Sequence, residues 1–284
     1  MNVVLMPNLD KKNALQCTCS VIDKLSSLGV SVLMSDAYRE SLSRGDVQYG
    51  DFYENVRRCD AIIAIGGDGT IIHSAKHAIE YRKQVLGINV GRLGFLAQLE
   101  ETDLDWLDAF VKGDYTVDKR MLLQVEILKK GEKACFYALN DVVLTKGELA
   151  RMVDLKVFCD GKLVSDYRAD GIIFCTPTGS TAYSMSAGGA IIDPVFDCIS
   201  MTPICPHSLF SRTIIFSPEK ELTVENVYIN SENELYLTVD GEKAIKIEEE
   251  DRVTVKKADI YAEFVNLGHR DYYEVLGEKI MKRG

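Results

Sequence analysis

A carboxylate lies where an anion-binding turn would be expected to carry none. Gly66-Gly67-Asp68-Gly69-Thr70 follows the apolar run 61–65 and leads into Ile71, Ile72, His73, Ser74 and Ala75. Such a run of small and apolar residues reads as a strand buried on both faces. Glycine tolerates positive φ and has no Cβ, so backbone N–H groups there can close on a ligand. The residues that follow read as a helix. Strand, glycine-rich turn and helix N-terminus together make a place for phosphate, because unpaired amides and the helix dipole both favour an anion. Asp68 puts negative charge at that place. It belongs there if it binds a metal or takes a proton from a nucleophile. Otherwise it is a turn residue that caps the helix.

Two further groups of residues have the composition of a binding site. The first is the stretch from Thr176 to Gly189, in which four of the six residues from Thr176 to Thr181 are hydroxylic. Small side chains let a flat ligand approach the backbone, and hydroxyls both donate and accept; a loop packed tightly around a helix start has the same composition. The second is Asn140-Asp141, set between extended runs. Asp accepts from sugar hydroxyls and Asn bonds a purine edge in two directions, although Asn-Asp is also turn chemistry. Asp170-Gly171 is ambiguous in the same way. Arg92, in Gly91-Arg92-Leu93-Gly94-Phe95-Leu96, either offsets phosphate charge or is a solvated surface cation. His73 and His77 have helical i,i+4 spacing without a third ligand in view, so no metal site is assigned. The eight cysteines show no CxxC spacing and several lie in apolar runs, which predicts buried free thiols.

The elements that must position these residues fall into two regions. The first alternates strand and helix: a strand at Val3–Met6, a helix at Lys11–Leu28 with Leu15, Val21, Ile22 and Leu25 on one side, a strand at Val30–Met34, a helix at Asp46–Arg58, the strand before Gly66, a helix at Ile71–Tyr81 and a strand at Val85–Val90. This rhythm predicts an α/β domain with a parallel sheet, which binds ligands beyond the C-terminal ends of its strands. Gly66–Thr70 and Gly91–Leu96 each follow such an end and should be neighbours. After about residue 119 the pattern becomes short strands and turns, with hairpin signals at Asp160-Gly161 and Asp240-Gly241. The expected domains are 1–118, with a tail at 261–284, helical over Arg270–Lys282, returning to it, and a β-rich domain at 119–260.

The chain has 284 residues, is 46% hydrophobic and 27% charged, and carries a net charge of −10. That composition is globular, and an acidic chain is not expected to bind nucleic acid. No apolar run approaches the ~20 residues of a membrane span, and the N-terminus lacks signal-peptide features, so a cytoplasmic protein without membrane association is expected. No Walker A motif occurs and no GxGxxG follows the first strand, which disfavours P-loop kinases and Rossmann dehydrogenases.

Taken together, Gly66–Thr70, Asn140-Asp141, Asp170-Gly171 and Thr176–Gly189 resemble the NAD kinase family. Gly91–Leu96, Ile204–His207 and Thr238–Gly241 support the resemblance, which runs through most of the chain. It implies an α/β N-terminal domain, a β-rich C-terminal domain and NAD held between them. It also implies transfer of the γ-phosphoryl of ATP, or of polyphosphate, to the 2′-hydroxyl of the adenosine ribose, accompanied by Mg²⁺ or another divalent cation. Asp68 would be the base, with Gly67, Gly69 and Thr70 near the phosphates. Phe95 would line the NAD pocket. Asn140 and Asp141 would meet the adenosine, Thr181, Ala182, Tyr183 and Ser186 the adenine, and Asp170 the nicotinamide end. Family members are dimers or tetramers, so a homodimer or homotetramer is expected. The chain departs from the family at Asp141, where Glu is usual, at Glu242, where Gln is frequent after Asp-Gly, and at Cys175. A dinucleotide sensor without catalysis is the alternative of another class, and the intact Asp68 argues against it. A lipid or sugar kinase would leave Thr176–Gly189 without a role.

Overall fold

A computed structural model describes residues 1–92, 94–129, 131–147, 152–208, 211–227 and 234–281. The chain forms two compact units, Met1–Lys119 with the segment from Ala262 onward, and Arg120–Tyr261.

The first unit is built on β1 (Asn2–Pro7), α1 (Ala14–Ser27), β2 (Ser31–Ser35), α2 (Arg39–Leu42), β3 (Val47–Gly50), α3 (Phe52–Arg58), β4 (Ala61–Gly66), α4 (Asp68–Glu80), β5 (Gln84–Asn89), β6 (Leu99–Glu100) and α5 (Leu107–Lys112). The strands run in the order β3-β2-β1-β4-β5, all parallel. Every residue of β4 is buried, as its continuous apolar run requires at the centre of a sheet covered on both faces. On α1, Ala14, Cys17, Val21, Ile22 and Leu25 are buried at helical spacing. Leu15 is not among them: it is 48% exposed, contrary to the predicted face. The single helix expected over 46–58 is also corrected. Val47–Gly50 pairs in parallel with β2, and only Phe52–Arg58 is helical. The Asp51 carboxylate accepts the Glu54 N–H at 2.9 Å and starts that helix, so sheet pairing overrides an apolar spacing that suits either structure.

The second unit carries β7 (Thr116–Lys129, whose first residues belong to the first unit), β8 (Glu132–Ala138), β9 (Asp141–Lys146), β10 (Val153–Cys159), β11 (Lys162–Ala169), β12 (Gly171–Cys175), α6 (Tyr183–Ser186), β13 (Ile199–Ile204), β14 (Ile214–Phe216), β15 (Leu222–Asn226), β16 (Leu235–Val239), β17 (Ile245–Ile247) and β18 (Arg252–Asn266). One antiparallel sheet has the order β14-β13-β12-β9-β16-β17; in the other, β11-β10-β15-β18 are neighbours. An apolar cluster that includes Leu144, Phe174, Met201, Leu155, Val224 and Val255 draws on both sheets. Both predicted hairpins occur, and Asp160, Gly161, Asp240 and Gly241 all have positive φ; the first pair is a two-residue turn between β10 and β11, and the second opens the longer connection 240–244 between β16 and β17. The sequence pattern predicts a strand over Arg252–Lys256, and β18 runs ten residues beyond it; β13 has no counterpart among the expected strands. α7 (Tyr272–Met281) closes the chain within the first unit. Among the described residues, no helix is long and apolar enough to cross a membrane.

Candidate functional site

In the first unit the strand order reverses between β1 and β4. Ligands bind at such a switch point, in the crevice beyond the strand ends. A cavity of about 440 Å³ lies there, lined in part by Asn8, Asp10, Tyr38, Gly69, Thr70 and His73. Asn8 ties its two rims together. Its N–H donates to the Ile65 carbonyl at 2.9 Å, and its side-chain amide donates to the Thr70 hydroxyl at 3.4 Å.

The three glycines before Thr70 do different things. None has positive φ. A Cβ on Gly66 would lie 2.4 Å from Thr70 Oγ1, so Gly66 is required for packing. A Cβ on Gly67 or Gly69 would meet nothing within 4 Å, so these two leave the backbone open to a ligand. Helix α4 starts at Asp68, Gly67 is its N-cap, and no side chain caps it. The helix-cap interpretation of Asp68 therefore fails. Its carboxylate points instead to the loop after β5, where Oδ2 accepts the Phe95 N–H at 2.9 Å and Oδ1 accepts the Leu96 N–H at 3.1 Å. The two loops are neighbours, as their places after parallel strands predict. Gly94 is what lets them approach: a Cβ there would lie 2.0 Å from Asp68 Oδ1.

Around this centre, Phe95 is half-buried, with its ring centroid 5.9 Å from that of Tyr272. Arg92 is exposed, and Leu93 lies outside the described residues. Asn89, at the end of β5, is 2% exposed; its amide N–H donates to the Gly91 carbonyl, while Oδ1 is buried without a partner among the described residues. His73 and His77 come together, their Nε2 atoms 3.3 Å apart, and His77 Nδ1 meets the Tyr53 hydroxyl at 3.3 Å.

The second unit brings its own predicted residues together. Asn140-Asp141 opens β9 beside the end of β12. The Thr176 N–H donates to the Asn140 carbonyl at 2.9 Å, and the Thr176 hydroxyl donates to the Leu139 carbonyl at 2.5 Å. A Cβ on Gly179 would lie 2.1 Å from the Asn140 carbonyl oxygen, so only glycine permits this contact. Because backbone rather than a flexible side chain would have to move, Gly179→Ala is expected to cost about 1–3 kcal/mol. Thermal denaturation measures this; an unchanged midpoint would contradict the packing described.

The hydroxyls of 176–186 divide into two sets. Thr176, Ser180 and Ser184 are buried and bonded inside the protein: Ser180 Oγ accepts the Ile192 N–H at 3.0 Å, and Ser184 Oγ lies 3.1 Å from Thr202 Oγ1. Thr178 and Thr181 are half-buried, as is Ala182 beside them, while Tyr183 and Ser186 are exposed. Only this second set faces outward, so the hydroxyl density predicted as a binding feature is in part packing. Asp141 is 6% exposed. Asp170 accepts the Lys146 ammonium at 2.6 Å, an ion pair that sequence spacing does not reveal.

Sequence reasoning missed the part played by Asp240. Its carboxylate accepts the N–H groups of Leu139, Asn140 and Asp141 at 2.9, 2.7 and 3.0 Å, and so fixes the Asn140-Asp141 turn. The signal was present in Asp240-Gly241, which was read as a hairpin turn and as part of the resemblance at Thr238–Gly241, with no bonding role for the carboxylate.

All eight cysteines are free. Cys17, Cys59, Cys175 and Cys198 are buried, but Cys135 and Cys205 are exposed, contrary to the uniformly buried expectation. Burial pushes the Cys175 thiol up to about 11. The thiolate is the reactive form. In a thiol-labelling time course at pH 8, Cys135 and Cys205 are expected to react first and Cys175 only on unfolding. Early labelling of Cys175 in the folded protein would contradict its burial.

Among the described residues, no group of three or more His, Cys, Asp or Glu side chains is placed to hold a metal ion. Mg²⁺ is usually bound by one or two carboxylates plus substrate phosphates and water, not by an all-protein cage. Asp68, a hard oxygen donor beside open backbone, fits an ion that arrives on a phosphate ligand.

Comparison with known proteins gives a consistent result. The model of the ATP-NAD kinase N-terminal domain matches residues 3–115, and that of the ATP-NAD kinase C-terminal domain matches residues 139–267. An NAD kinase of Caldanaerobacter subterraneus subsp. tengcongensis is 36% identical over 286 residues, 99% of each chain. One of Carboxydothermus hydrogenoformans is 38% identical over 250 residues, 87% of this chain and 89% of its own. Among solved structures, yeast NADH kinase complexed with NADH superposes with a TM-score of 0.88 at 25% identity, covering 99% of this chain and 87% of the other. An NAD kinase from Archaeoglobus fulgidus in complex with ATP shares the fold, with a TM-score of 0.78 at 23% identity and full coverage of both chains.

Proposed function

The chain belongs to the NAD kinase family of phosphotransferases with an alcohol acceptor, and on that premise we propose that Asp68 is the base that activates the 2′-hydroxyl of the adenosine ribose of NAD. The observation that carries this reading is the Asp68 carboxylate, held by the Phe95 and Leu96 N–H groups instead of capping its own helix. A ribose hydroxyl is a weak nucleophile at neutral pH, and a positioned base is typically worth ~10²–10⁴ in rate. The hydroxyl proton passes to an Asp68 oxygen and the 2′-oxygen forms a bond to the γ-phosphorus of ATP. The bond from that phosphorus to the bridging oxygen breaks, and ADP and NADP result.

Gly67 and Gly69 leave room for the phosphates, and Thr70 and Arg92 complete that side. Phosphoryl transfer depends on positioning and charge neutralisation, which Mg²⁺ or another divalent cation supplies when bound with the donor. Phe95 lines the NAD pocket. In the second unit, Asn140 and Asp141 hold the adenosine in the turn fixed by Asp240. Thr181, Ala182, Tyr183 and Ser186 shape the adenine side, and Asp170 meets the nicotinamide end. The domains, 1–118 with 261–284 and 119–260, thus divide into phosphoryl transfer and dinucleotide binding. The protein is a cytoplasmic homodimer or homotetramer and takes ATP, with polyphosphate as a second donor.

A donor-by-acceptor matrix tests the reading: ATP, GTP and polyphosphate against NAD and NADH, with and without Mg²⁺. The expected result is phosphorylation of NAD by ATP that stops when EDTA removes the cation. Absence of any phosphorylated dinucleotide across the matrix would overturn it.

A further inference from the structure

The last helix carries a cation to the proposed base. Lys279, on α7, has its ammonium 3.8 Å from Asp68 Oδ2 and 4.0 Å from the centroid of the Phe95 ring. Both side chains of the ion pair are about one-third exposed or less, at 27% for Lys279 and 31% for Asp68. A separation of 3.8 Å is too long for a hydrogen bond. Each Asp68 oxygen already accepts a backbone N–H. Asp68 is therefore oriented by these backbone N–H groups, with the ammonium as a charge beside its carboxylate.

A phosphate that reaches the open backbone at Gly67 and Gly69 adds its negative charge to that of Asp68. Arg92, the cation of the neighbouring loop after β5, is exposed. We propose that Lys279 is the donor-binding cation of this site: its ammonium meets the terminal phosphate of the nucleotide donor and holds it beside Asp68. The Phe95 face supports the Lys279 head by a cation–π contact and fixes where the charge sits. The assignment rests on Asp68 being the base at the phosphate site.

Lys279→Met and Lys279→Arg test it in the full-length protein. Met keeps an unbranched apolar stem over Phe95 and removes the charge, and Arg restores the charge. With Mg²⁺ present, ATP, ADP and AMP are the calorimetric probes, and kcat and KM are measured for ATP and NAD. For Lys279→Met, a loss of ATP affinity and of kcat of about 10-fold is expected, with a smaller loss for ADP and none for AMP. KM for NAD stays within about 2-fold, a change too small to mark a lost charged contact. Lys279→Arg recovers most of the ATP affinity. Equal losses for all three nucleotides, wild-type kinetics in Lys279→Met, or no recovery in Lys279→Arg would overturn the assignment. A wild-type protein that makes no NADP overturns the function instead, whatever the Lys279 variants do.

Discussion

Asp68→Asn is expected to lower turnover at least ~10²-fold while leaving NAD binding largely intact. The substitution keeps the size of the side chain and one acceptor oxygen. That oxygen can retain one of the two N–H contacts from Phe95 and Leu96. The amide nitrogen cannot accept the other and cannot take a proton from a ribose hydroxyl. The residues proposed to contact the dinucleotide lie mainly in the second unit, where Asp240 and Gly179 hold the Asn140 turn independently of Asp68. Steady-state kinetics with NAD titration by calorimetry separates the two effects. Turnover within a few-fold of wild type would remove Asp68 as the base.

Gly94→Ala is expected to produce a loss of similar size without touching a reacting group. The added Cβ would lie 2.0 Å from Asp68 Oδ1 and 2.7 Å from its Cγ. Asp68 is a short side chain with two rotatable bonds, so it is the group that yields. Moving it breaks its contacts to Phe95 and Leu96 and takes the carboxylate away from its working position. A misplacement of about 1 Å can cost 10²-fold in rate. The cost to stability is small because the clash is relieved by a side chain and not by backbone. The expected pattern is a kcat reduced ~10²-fold with a melting temperature near wild type. A large fall in melting temperature, or an unchanged kcat, would show that Gly94 does not set the position of Asp68.

Much of the site was legible because it is local in sequence. The run 61–65 followed by Gly66–Thr70 specifies strand, turn and helix within a dozen residues, and the βα rhythm around it fixes which end of the sheet carries the turn. The hairpins at Asp160-Gly161 and Asp240-Gly241 were legible for the same reason. What escaped is long-range. Asp68 bonds to residues 27 and 28 positions away, Asp240 to residues about 100 away, and Lys279 lies at the other end of the chain. No spacing rule connects such residues. β3 was misread because Val47 and Val56 suit a helical face, while pairing to β2 decides the conformation of the first of them. β18 was cut short because Lys256, Lys257, Asp259 and Glu263 interrupt its alternation. The glycines of the turn were read as offering both positive φ and a missing Cβ, and the first of these is not used there. Their use here is the missing Cβ, at Gly66, Gly94 and Gly179 for close packing and at Gly67 and Gly69 for open space.

The most direct measurement is the identity of the product formed from NAD, ATP and Mg²⁺ by the purified wild-type protein. Phosphorus NMR, with an NADP-specific dehydrogenase as a second readout, identifies the carbon that carries the new phosphate. A phosphate monoester at the 2′ position of the adenosine ribose, formed with one ADP per NADP, is the expected result. No transfer to NAD, or a phosphate at any other hydroxyl, would contradict the account.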